Sequence, residues 1–254
     1  MESTQGHNQL ARKLAFFSPL TDEDQKRITS LCQRQLHVRA NRDLAAEGET
    51  PQALFAVMQG WAIRHRALAN GKRQIISVLV PGDMTEPFGV LPKVMSHSIT
   101  AQTDLVVSPI SVPSIRLAAS ASRALADALW HDLLATQAAS YERIVTLGCR
   151  SAVERIGHWF CELHYRLMAV GLVTEDGFEM PLTQADLGEI LGISAVHVNR
   201  SLQEMRALDL IRLQKGRLQI RDIDALATAS DFTPTYFHTG EMVGDRLTSG
   251  VLSA

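Results

Sequence analysis

Residues 182–193 read LTQADLGEILGI and residues 194–208 read SAVHVNRSLQEMRAL, two helix-forming runs parted by a glycine. Thr183 and Asp186 stand at the T-x-x-D spacing of an N-terminal cap, and Leu187, Ile190 and Leu191 line one face of the helix that follows. Gly192 suits the left-handed residue that stops a helix, and Ser194 suits the cap of the next. A break this short makes the two helices immediate neighbours, so the run predicts a helix-turn-helix.

At about 100° per residue, Ala195, Val198, Leu202 and Met205 fall on one side of the second helix, its expected buried face. The opposite side carries Val196, Arg200 and Gln203, flanked by His197 and Asn199, with Ser194 at the cap. Such side chains match the donors, acceptors and methyl groups of a DNA major groove; the competing reading is a helix face that is merely solvated. Residues 211–214 and 217–220 alternate on either side of Lys215-Gly216, predicting a hairpin, or wing, that carries Lys215 and Arg217. From Ser194 to Arg221 six cations face only Glu204 and Asp209, a local charge of +4 in a chain whose net charge is −2. Positive charge is therefore concentrated where phosphates would lie.

The remaining composition excludes several classes. With 254 residues, 46% of them hydrophobic, the chain has material for about two domains. No run of about 18 apolar residues occurs, and the first residues, MESTQGHNQLARK, lack the apolar core of a signal peptide, so a cytoplasmic protein without a membrane span is expected. Cys32, Cys149 and Cys161 form no C-x-x-C pair and read as small buried hydrophobes, with a thiol-redox role for Cys149 or Cys161 as the alternative. His158, Cys161 and His164, at i, i+3 and i+6, are strung along a helix and converge poorly, so no metal or cofactor is expected. Neither G-x-S-x-G, a phosphate loop nor a catalytic carboxylate pair is present, which argues against an enzyme.

Along the chain, a short helix is expected at 22–32. Residues 35–112 then break at Gly48, Gly60, Gly71 and Gly82, spaced 12, 11 and 11 apart, the pattern of a compact antiparallel β structure with strands at 54–58, 61–66, 74–80 and 105–110. Residues 122–149 read as one long helix on which Leu129, Leu133, Thr136, Ser140, Ile144 and Leu147 recur at steps of 4, 3, 4, 4 and 3. This seam predicts self-pairing into a homodimer, burial within the same subunit being the alternative. A further helix at 151–168 precedes the helix-turn-helix. The expected division is an α+β chain with an N-terminal antiparallel β-roll at 1–121, a dimerisation helix at 122–150, a winged helix-turn-helix at 151–230 and a loose tail at 231–254.

This order resembles that of the cyclic-AMP receptor protein / fumarate-nitrate regulator (Crp/Fnr) family. The residues that carry the resemblance are Glu47-Gly48-Glu49, Pro81-Gly82-Asp83 and Phe88-Gly89 in the first half. In the second half they are Leu182–Leu187, Leu191–Ser194, Val198, Asn199-Arg200, Leu210-Ile211 and Ile220. The resemblance implies a cyclic-nucleotide-binding-like jelly roll that senses a signal, a homodimer, double-stranded DNA as target and RNA polymerase as a further partner. Its effector pocket would fall on Phe88, Gly89, Val90 and Leu91, then His97 and Ser98. Cyclic-nucleotide binders of the family carry a glutamate where Val90 stands, for the ribose hydroxyl, and an arginine where His97 stands, for the phosphate. Valine accepts no hydrogen bond, and histidine is a weaker anion partner than arginine. A small-molecule effector other than cyclic AMP is therefore expected, if there is one. Residues 1–31 hold no cysteine cluster for oxygen sensing, and no histidine pair marks a haem. The alternatives are a thiol-redox regulator and a nucleotide-sensing subunit that does not bind DNA.

Overall fold

A computed structural model describes residues 8–86 and 90–237. Its chain forms two compact units, one built from the segments up to Ala62 and Leu79–Gln137, the other from Ile63–Val78 and Ala138–Tyr236.

The chain opens with α1 (Gln9–Phe17) and α2 (Asp22–Leu31), followed by β1 (Leu36–Val38), β2 (Asp43–Ala45), β3 (Leu54–Gln59), β4 (Ala62–Ala67), β5 (Arg73–Leu79), β6 (Ser98–Ala101), β7 (Leu105–Ile110) and α3 (Val112–Ala121); of these, β4 after Ala62 and β5 up to Val78 fall in the second unit and the rest in the first. The strands make two sheets, in the orders β1-β7-β3 and β2-β6-β4-β5. Both neighbours of β7 run antiparallel to it, with Leu36 and Val57 each opposite Val107. Val57, Ala62, Leu79, Met95, Ile99, Leu105 and Val107 form the core of this β-roll. All four spaced glycines have positive φ. At Gly60 the need is also spatial, since a Cβ there would lie 2.2 Å from the carbonyl oxygen of Asp104. The expected strands are present within a residue or two, and β1, β2 and β6 add to them.

Sequence reading did not foresee α1 and α3. They pack with α2 and the start of α4 (Arg123–Cys149) on one side of β3 and β7, where Leu10, Leu14, Ile28, Leu54, Ile115, Leu125 and Leu129 form a second apolar core. Leu129, expected on the intersubunit seam, is 2% exposed in this core. The apolar side chains that α4 leaves exposed are Trp130, Leu134, Tyr141, Ile144, Val145 and Leu147. Trp130, Leu134, Tyr141 and Ile144 recur on one face, about one residue, or 100°, round from the expected line. Of that line, Leu133 is half-buried and Thr136 and Ser140 are exposed, and Ile144 falls on both faces.

In the second unit α5 (Ala152–Ala169) packs against α6 (Gln184–Leu191), α7 (Ala195–Ala207) and α8 (Ile223–Ala229), and β8 (Phe178–Glu179), β9 (Ile211–Gln214) and β10 (Arg217–Ile220) form a three-stranded sheet in the order β8-β10-β9. Residues 231–237 are not the loose tail expected. Phe232 is buried between His158 and Tyr165 of α5, and Pro234–Phe237 form a 3-10 turn whose Tyr236 stacks on His158. The rest of the expected tail, 238–254, lies outside the described residues.

A buried ion cluster ties α1 to the roll and to α4. Lys13 Nζ is 2.8 Å from Asp83 Oδ1, in the Pro81-Gly82-Asp83 turn, and 2.5 Å from Asp132 Oδ1 on α4. Burial alone would lower the Lys13 pKa, but Asp132 and Asp83 outweigh it and hold it above its ordinary value. The ammonium therefore contributes its stability below about pH 10.5 and loses it only above the raised pKa. Removing it leaves two carboxylates buried without their cation, so Lys13→Met is expected to cost about 3–5 kcal/mol, read by urea unfolding at pH 7. A loss below about 1 kcal/mol would contradict a buried cluster.

Candidate nucleic-acid interface

The helix-turn-helix forms through the local signals its sequence carries. Thr183 Oγ1 accepts from the Asp186 amide at 3.1 Å and Asp186 Oδ2 accepts from the Thr183 amide at 2.9 Å, a closed capping box at the start of α6. Gly192 adopts φ 64°, ψ 34° and ends the helix. Gly188 permits the tight turn, since a Cβ on it would lie 2.6 Å from the carbonyl oxygen of Ile193. Ser194 then caps α7 by accepting from the His197 amide at 3.3 Å.

Val198, Leu202 and Met205 are fully buried, and α7 packs on α5 and α6. Ala195, expected on that face, is exposed at the first turn, and Ser201 is buried instead. Burial of this face turns Val196, His197, Arg200 and Gln203 outward, Val196 to 77% exposure. Arg200 makes no hydrogen bond or ion pair within the described residues. The His197 ring is held by Ser194, whose Oγ lies 2.9 Å from its Nδ1. Asn199 is half-buried and donates to Gln184 Oε1 at 3.1 Å, so it joins the two helices.

The wing follows at once. β9 and β10 pair antiparallel with Arg217 opposite Gln214, and Lys215 (φ 50°) and Gly216 (φ 71°) make the turn between them. Lys215 stands exposed at its tip. Arg217 is exposed but engaged, donating to Gly177 O at 3.0 Å and lying 3.4 Å from Thr174 Oγ1, where it braces the loop before β8. Sequence reading missed Arg155 of α5, whose Nη1 donates to Leu191 O at 3.0 Å and whose Nε donates to Arg150 O at 2.8 Å. A contact across 36 residues leaves no local pattern.

In the β-roll, a cavity of about 220 Å³ is lined by Leu44, Phe55, Met95 and Ile99 among apolar groups and by the carboxylates Glu49 and Glu86. No lysine or arginine is among its described lining residues. Of the expected pocket residues, Phe88 and Gly89 lie outside the described residues, Val90 is exposed and Leu91 half-buried. His97 Nε2 lies 3.8 Å from Glu86 Oε1, and Ser98 Oγ accepts from the Glu47 amide at 3.0 Å. The geometry thus brings His97 to a carboxylate and Ser98 to the backbone.

Comparison with known proteins matches both halves. Residues 35–118 match the cyclic nucleotide-binding domain model and residues 154–229 the Crp-like helix-turn-helix domain model. The chain is similar to the transcriptional activatory protein AadR of Rhodopseudomonas palustris, 27% identical over 86% of this chain and 91% of that one. It is also similar to an anaerobic regulatory protein of Pasteurella multocida, 22% identical over 87% and 81% respectively. In fold it resembles FixK2 of Bradyrhizobium japonicum, with a TM-score of 0.67 at 20% identity over 77% of this chain and 96% of that one. AadR is a transcriptional activator by name, and the Pasteurella multocida relative a regulatory protein.

The thiols and α5 histidines stand apart from this interface. Cys149 is exposed at the end of α4, while Cys32 and Cys161 are buried. Burial pushes the Cys161 thiol up to about 12 against a bond from Ser230, and burial raises Cys32 as well. His158 is pushed down to about 4, chiefly by burial and then by Arg150 and Arg143, so it is neutral at pH 7. Among the described residues no cluster of three or more His, Cys, Asp or Glu side chains is placed to hold a metal ion, and no helix is long and apolar enough to cross a membrane. Iodoacetamide at pH 8 is expected to alkylate Cys149 in the folded protein and Cys32 and Cys161 only after unfolding, as read by peptide mass spectrometry. Rapid modification of folded Cys161 would contradict its burial and favour the thiol-redox reading.

Proposed function

The chain belongs to the Crp/Fnr family of transcriptional regulators, and we propose that it acts as a homodimer on near-palindromic promoter DNA in the cytoplasm, reading base edges with α7. The observation that carries this reading is the outward Arg200: exposed, without a partner within the described residues, and on a helix whose opposite face buries Val198, Leu202 and Met205. An arginine so held bonds guanine O6 and N7 together. Ser194, Val196, His197, Asn199 and Gln203 surround it, and Lys215 and Arg217 of the wing supply charge toward phosphates. Val196 offers a methyl surface suited to thymine where the family carries a glutamate. Contact with RNA polymerase fits the activator names of relatives such as AadR. The acidic, largely apolar roll cavity disfavours cyclic AMP, because a cyclic phosphate there would face Glu49 and Glu86 with no arginine or lysine among the described lining residues to balance it.

Binding-site selection with purified protein tests the assignment. Arg200→Ala is expected to lose about 1–3 kcal/mol of discrimination at one guanine in each half-site, while Lys215→Ala weakens all sequences alike and flattens the salt dependence. An unchanged preferred sequence in Arg200→Ala contradicts the proposed register of α7.

For the dimer, the exposed apolar face through Trp130, Leu134, Tyr141 and Ile144 is the proposed seam, in place of the line through Leu129. Leu134→Glu with Ile144→Glu places charges on positions exposed within one chain, so folding survives while pairing of two copies would bury like charges. Light scattering is expected to give a folded monomer for this variant and a dimer for the wild type. A folded dimeric variant would exclude this seam.

A further inference from the structure

The β4–β5 hairpin comes from the first half of the sequence, yet residues 63–78 belong to the same compact unit as the helix-turn-helix. Arg73, at the start of β5, places its guanidinium between two carboxylates of α6. Nη2 lies 3.2 Å from Asp186 Oδ1 and Nε lies 2.6 Å from Glu189 Oε2. The next residue, Gln74, donates its side-chain amide to the Glu189 carbonyl. Near the other end of the strand, the Val78 carbonyl accepts from Arg166 Nη2 of α5 at 2.8 Å. One strand is thus fastened to α6 by three contacts from two residues and to α5 by one.

Asp186 also closes the capping box through its other oxygen, so its carboxylate is fixed and nearly buried. Glu189 follows one turn later on the same side. Gln74 takes up a carbonyl in the last turn of α6, where a helix leaves its acceptors without internal donors. In the helix-turn-helix arrangement the first helix crosses the DNA backbone, where uncompensated carboxylates repel phosphates. Arg73 supplies the compensating charge from outside the DNA-binding half.

We propose that Arg73 is a positioning residue for DNA binding, which through Asp186 and Glu189 holds α6 in place and cancels its negative charge toward phosphates. The inference rests on the DNA-binding reading above. It makes the β4–β5 hairpin part of the DNA-reading unit.

Fluorescence anisotropy of the full chain on its selected site tests this. Arg73→Ala is expected to weaken binding about five- to tenfold, a typical scale for coupling through a positioning contact, with the preferred sequence unchanged. Arg73→Lys is expected to retain most of the affinity, and the Arg73→Ala effect is expected to shrink in a Glu189→Gln background. Because the pairs are partly exposed, the melting temperature and the mass by light scattering are expected to stay close to wild type. An unchanged affinity for Arg73→Ala overturns the proposal. So does tighter binding, which would make the hairpin a brake, and so does an equal loss in the Glu189→Gln background. If wild type itself binds no DNA in this assay, the DNA-binding reading falls and this inference with it.

Discussion

Burial of Val198, Leu202 and Met205 against the α5 and α6 side of the second unit is the constraint on which the rest depends. Full burial of such side chains is worth about 1.5–3 kcal/mol each, so the rotation of α7 about its own axis is strongly fixed. Because that face is inward, Arg200, His197 and Val196 must be outward. The small residues serve the same end: Gly188 lets the chain after α6 pass close, and Gly192 turns it without strain. Ser194 starts the next helix and orients the His197 ring at the same time.

Around this packing the charged groups act as struts. Arg155 joins the end of α6 to the start of α5, and Asn199 joins α7 to Gln184. Arg143 and Arg166 both meet the buried Glu162, so α5 carries a compensated carboxylate in its apolar face. The segment after α8 covers His158 with Phe232 and Tyr236, which explains why that imidazole is driven toward its neutral form. In the other unit Lys13 does the same service for Asp83 and Asp132.

Legibility followed the range of the interaction. The winged helix-turn-helix was readable nearly to the residue because its determinants, the Thr183–Asp186 box, Gly192, Ser194 and Lys215-Gly216, act over two to four positions. The β-roll strands were readable because glycines with positive φ separate them. The seam proposed on α4 differs from the expected line because the first half of the helix is apolar on two sides, with Leu125 and Leu129 facing the core and Trp130 and Leu134 facing out; periodicity alone does not say which side would face a partner. Phe232 and Tyr236 gave no pattern of their own, because they pack against His158 of α5, far earlier in the chain. Arg73 and Glu189, 116 positions apart, left no trace in sequence spacing.

Genome-wide mapping of the DNA bound by the protein in its own cells tests the central claim most directly, since dyad symmetry and base reading are recorded together. The account predicts bound regions near promoters that share an inverted repeat, its half-site centres one helical turn, about 10–10.5 base pairs, apart. A guanine is expected at the same place in each half. Bound regions without a common sequence, or with an unpaired half-site, would contradict it.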